Sequence, residues 1–95
     1  MHPERRIPTH PGEVLREEFL EPLGITQVQL AAHLGVPLQR IHEIVRGRRG
    51  VSPETAWFLG QALGTSPEFW IQLQSAHDLA ANRPERRVKR LRRTR

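Results

Sequence analysis

Residues 26–49 read TQVQLAAHLGVPLQRIHEIVRGRR, and the spacing inside this stretch decides the fold. Thr26 followed three residues later by Gln29 is a capping box, so a helix opens here. It runs through Leu30 and Ala31 to Leu34, and Gly35 ends it. Counted from Gln27 as the first position, Ala31 is the fifth and Gly35 the ninth, with Leu30, Leu34, Val36, Ile41 and Ile44 apolar around them. Two short helices that cross steeply approach most closely at the fifth position, where only a small side chain fits. The chain must reverse at the ninth, where a positive φ is expected and glycine adopts it without strain. The spacing therefore predicts a helix-turn-helix, with a following helix from about Pro37 to about Val45.

Outward from this unit the periodicity stays helical, with no sustained two-residue alternation and no Asn-Gly turn. A helix after Pro11 places Val14, Leu15, Phe19 and Leu20 on one face and stops at Pro22 and Gly24. Ser52-Pro53 and Ser66-Pro67 each pair a capping serine with a proline at the first helical position. They open helices that end at Gly64 and at about Ala81. The expected architecture is all-α, five helices in one domain over residues 11–81. Residues 1–10 form an arm, and residues 82–95 form an Arg-rich tail expected to lack fixed structure.

Ninety-five residues suffice for one small domain. There is no cysteine, which excludes disulfide scaffolds, thiolate metal sites and cysteine nucleophiles. No apolar run is long enough to span a membrane, and the start lacks the apolar core of a secretory signal, so a cytoplasmic location is expected. The five histidines form no i,i+4 pair, so neither a metal nor another cofactor is expected. No catalytic constellation is visible, and an enzyme is not expected.

The formal charge of +5 is unevenly distributed. Residues 11–81 carry −3, whereas residues 82–95 carry +7. Within the acidic domain, residues 37–49 hold four arginines against one glutamate. A local positive patch on the second helix of the unit is what insertion into a major groove requires. With Ile41 and Ile44 turned inward, Leu38, Gln39, Arg40 and Glu43 are the candidates for base contact. Gln39 suits an adenine edge, Glu43 a cytosine amino group and Leu38 a thymine methyl. Arg46, Arg48 and Arg49 suit phosphates, as does Gln27 at the start of its helix. Glu13, Glu17, Glu18 and Glu21 on the first helix read as dipole complements and a soluble face, with docking of a basic partner as the sharper alternative.

Five segments together resemble HigA-type antitoxins, the plasmid-maintenance antidote group of XRE-like helix-turn-helix proteins. They are THPGE (9–13), REEFLEPLG (16–24), ITQVQLAAHLGV (25–36), RIHEIVRGRRGVSPETA (40–56) and LGTSPEFWIQLQSAHDL (63–79). The resemblance implies a five-helix, lambda-repressor-like domain that dimerises on a palindromic DNA operator and represses its own operon. It also implies a cognate ribonuclease toxin of the RelE/HigB class as partner. Pro37 and Leu38 depart from the family's usual polar residues, and the tail from Arg83 is not part of the family core. A stand-alone regulator of the same fold, and an interaction adaptor that has lost DNA binding, are the alternative readings.

An 80-residue unit cannot easily bury Trp57, Phe58, Phe69 and Trp70 together. Core burial is expected for Phe69 and Leu73, while Trp70 fits either core or interface. Trp70, Leu73 and His77 on the last helix are the candidate dimer contacts, and two-fold pairing would set the recognition helices about 34–36 Å apart.

Overall fold

The computed structural model describes residues 7–92, so residues 1–6 of the expected arm and 93–95 of the tail lie outside the described residues. Helix α1 spans residues 11–23 and has three parts: α-helical Pro11–Val14, a π-helical stretch Leu15–Leu20, and α-helical Glu21–Leu23. Then come α2 (Gln27–Leu34), α3 (Leu38–Val45), α4 (Pro53–Leu63) and α5 (Pro67–Ala81), with no strand among the described residues.

The caps fall where the sequence puts them. Thr26 accepts from the Gln29 N–H while Gln29 reaches back to the Thr26 N–H, closing the box at 3.0 and 2.9 Å. Ser52 and Ser66 accept from the N–H groups of Thr55 and Phe69. Two features of α1 are not evident from the sequence. Its N-cap is His10, whose Nδ1 accepts from the Gly12 N–H at 2.9 Å. Its middle widens to π geometry, with the Glu21 N–H donating to the Arg16 carbonyl. Pro22 has no N–H to return to Glu18, and the wider turn upstream absorbs its ring within a continuous helix.

One core joins all five helices. Leu15, Ile41, Leu59 and Trp70 are fully enclosed, with Leu20, Leu30, Ala31 and Ile44 beside them. Gly12 lets α1 press on the end of α3, because a Cβ there would collide with the Ile44 carbonyl. Gln74 on α5 is buried and fully used: its Oε1 accepts from the Val51 N–H at 2.7 Å and its Nε2 donates to Asp78 at 2.9 Å. It therefore fixes the loop that leaves α3.

Trp70 is a correction to the expected dimer contacts. It is 0% exposed within the single chain, its Nε1 donates to Thr65 Oγ1 at 2.7 Å, and Phe19 and Phe69 pack on its ring at 5.4 and 5.0 Å. The protomer absorbs it because π-widened α1 brings Phe19 across the start of α5. Leu73 is half-buried against the same core. His77, half-buried, meets the His10 ring edge-on at 4.9 Å and donates from Nδ1 to the Pro8 carbonyl at 2.8 Å. The large apolar side chain left in solvent on α4 is Trp57, 57% exposed.

Candidate nucleic-acid interface

The turn between α2 and α3 is closed by backbone alone. Gly35 sits at φ 72°, and the Val36 N–H returns to the Ala31 carbonyl at 3.1 Å. This Schellman-type closure satisfies the end of α2 and reverses the chain within three residues. Pro37, extended at ψ 142°, then starts α3 without a side-chain cap, as its ring dictates.

Ile41 and Ile44 anchor α3 in the core, which fixes its rotation. The opposite face carries Leu38 and Gln39, both exposed, with Arg40, His42 and Glu43 partly so. Arg46, Arg48 and Arg49 follow in the exposed loop around Gly47. The structure thus places the four base-contact candidates on one face and three of the four phosphate candidates at its C-terminal end.

Intramolecular bonds organise this face. Gln39 Nε2 donates to Glu43 at 3.2 Å, and Arg49 Nε donates to the other Glu43 oxygen at 2.9 Å. The Arg49 hydrogen bond, then that of Gln39, holds the Glu43 carboxyl below the usual carboxylate range. Arg40 reaches Glu54 at the start of α4, 3.4 Å away. Gln27, the fourth phosphate candidate, lies at the N-terminus of α2 with its Oε1 3.3 Å from His42 Nδ1, tying the two helices of the unit side by side. Arg46 and Arg48 make no ion pair among the described residues. The i,i+4 spacing of Gln39 and Glu43 was a readable signal for their bond. Those of Arg49 and Arg40 needed the loop geometry.

Among the described residues, no group of three His, Asp or Glu side chains is placed to hold a metal, and no helix is long and apolar enough to cross a membrane. The arrangement is equipped to present donors and acceptors to a base edge and cations to phosphates.

Comparison with known proteins agrees with this geometry. The family described as Helix-turn-helix matches residues 16–70. "Virulence-associated protein I" of Dichelobacter nodosus is 46% identical over 70 residues, covering 74% of this chain and 65% of that protein. "Antitoxin HigA-1" of Vibrio cholerae is 42% identical over 79 residues, covering 83% of this chain and 74% of that protein. Among solved structures, the Pseudomonas aeruginosa antitoxin HigA with the higBA promoter superposes with a TM-score of 0.76 at 44% identity, covering 78% of this chain and 80% of the other.

Proposed function

The chain belongs to the HigA-type antitoxins of the helix-turn-helix family, and from that premise we propose that it is a dimeric repressor of its own operon that also neutralises a ribonuclease toxin of the RelE/HigB class. Two copies of α3 enter successive major grooves of a palindromic operator. Gln39 reads a base edge, with Arg40, Glu43 and Leu38 beside it. Gln27, Arg46, Arg48 and Arg49 hold phosphates and set the register without reading sequence.

The observation that carries this reading is the rotation of α3. Ile41 and Ile44 are locked in the core, so the polar face and its arginine loop have nowhere to point but outward. A promoter-bound antitoxin of the same fold supports the DNA half of the proposal. The toxin half is supported by the family.

Gel shifts on the chain's own promoter test the DNA half, with a retarded dimer complex expected. No shift even at low salt would favour an adaptor. Co-expression with the neighbouring gene product tests the toxin half, a stable co-purifying complex being the expected result. Absence of such a neighbour or complex would leave a stand-alone regulator.

A further inference from the structure

We infer that residues 82–92 are a second, sequence-independent DNA contact: an extended cationic strap that binds phosphates flanking the site gripped by α3. This rests on the DNA-binding reading above and adds a surface outside the helix-turn-helix.

Three observations carry it. The first is charge. Arg83, Arg86, Arg87, Lys89, Arg90 and Arg92 face only Glu85, every residue from 82 to 92 is exposed, and none of these cations enters an ion pair among the described residues. The domain's own acidic residues thus leave the segment unneutralised.

The second is how it leaves the fold. Asn82 closes α5, with backbone and side-chain nitrogens both donating to the Asp78 carbonyl at 3.0 and 2.8 Å. Pro84 then biases Arg83 to an extended conformation, and no helix follows among the described residues. Residues 82–92, with a turn at Asn82 and a bend at Glu85 and Arg86, reach at most about 36 Å at ~3.3 Å each. That is about the length of one turn of duplex, ~34–36 Å.

The third is where it starts. His77, on the last turns of α5, packs on His10, and the His10 ring borders Gly47 in the arginine loop. Gln74 holds Val51 just beyond that loop. The strap therefore springs from a helix bolted to the loop that carries Arg46, Arg48 and Arg49, and continues its charge. Val88 and Leu91 are 77% and 95% exposed. A protein groove would use them, whereas a phosphate backbone has no need of them.

The test is the full-length chain with R83Q, R86Q, R87Q, K89Q, R90Q and R92Q together, titrated with operator and random duplexes between about 50 and 200 mM salt. The slope of log K against log salt should become shallower by about 3 to 5 for each protomer bound, at ~0.9 for each phosphate no longer neutralised, on both duplexes alike. The operator-to-random ratio and the melting temperature should stay as in the parent, and V88S/L91S should change neither slope. An unchanged slope in the six-fold variant overturns the strap. So does a change confined to the operator, or loss of toxin co-purification in V88S/L91S while the six-fold variant keeps the parental slope. If the parent chain binds neither duplex, the DNA reading itself falls. If the parent discriminates and Gln39→Ala relaxes that discrimination while the six-fold variant behaves as parent, the strap alone falls.

Discussion

Gly12 has no room for a methyl group. Its Cα faces the Ile44 carbonyl at the end of α3, so Gly12→Ala must push α1 off the recognition helix. Overpacking of this kind costs about 1–3 kcal/mol, and a backbone obstacle cannot rotate away. Denaturant titration should show that loss, and a parental midpoint would mean that the close approach does not hold in solution. Helical periodicity could not reveal this contact, because it forms between elements thirty-odd residues apart. His10 is similar: a histidine cap is not a common signal, and it became visible only with its Nδ1 on the Gly12 N–H. An acceptor Nδ1 requires the neutral ring. Burial and the neighbouring His77 lower the His10 pKa, outweighing the raising effect of Asp78. The unfolded chain then takes up the proton first, so this contribution is complete above about pH 6.5 and fades as pH falls through that value towards the depressed folded pKa. His10→Asn keeps a capping acceptor and removes the titration. Its melting temperature should fall less than the parent's between about pH 8 and pH 5, and parallel curves would clear His10 of the effect.

At the scale of the element, the helix-turn-helix was legible almost to the residue. The Thr26 box, Ala31 in the crossing, Gly35 at positive φ and the inward isoleucines are all local or nearly local consequences of side-chain size and hydrogen bonding. The state of the outward face was not legible, since it depends on how the loop after α3 folds back. Glu43 there joins Gln39 and Arg49 into one hydrogen-bonded row. Gln39→Ala should cost about 1–3 kcal/mol on the operator and relax specificity at one position. Arg46→Ala should weaken operator and random DNA alike, because a phosphate contact carries no sequence information. Glu43→Gln removes the carboxylate that restrains Arg49. Its expected signature is tighter binding to random duplex and a salt slope steeper by about 1. Binding to random duplex that stays at the parental level would show that Arg49 reaches phosphate without leaving Glu43.

For the whole molecule, the two tryptophans separate folding from assembly. Composition alone suggested more aromatic surface than one chain could bury, and that arithmetic could not know that α1 widens and brings Phe19 onto Trp70. Trp70 therefore belongs to the protomer's stability. Truncating a buried tryptophan costs about 3–5 kcal/mol, a large share of the ~5–15 kcal/mol available to a domain. Trp70→Ala should shift the urea midpoint strongly downward. Light scattering on the fraction that remains folded should give the parental mass, because no side chain at a protomer–protomer contact has been removed. Trp57 provides the complementary readout. With Trp57 57% exposed and Trp70 fully enclosed, iodide should reach one emitter and not the other. A biphasic quenching plot is expected in dilute protein, reduced to the inaccessible phase in Trp57→Phe. Uniform quenching of both tryptophans would place Trp70 at the surface and return it to the interface from which its burial removes it.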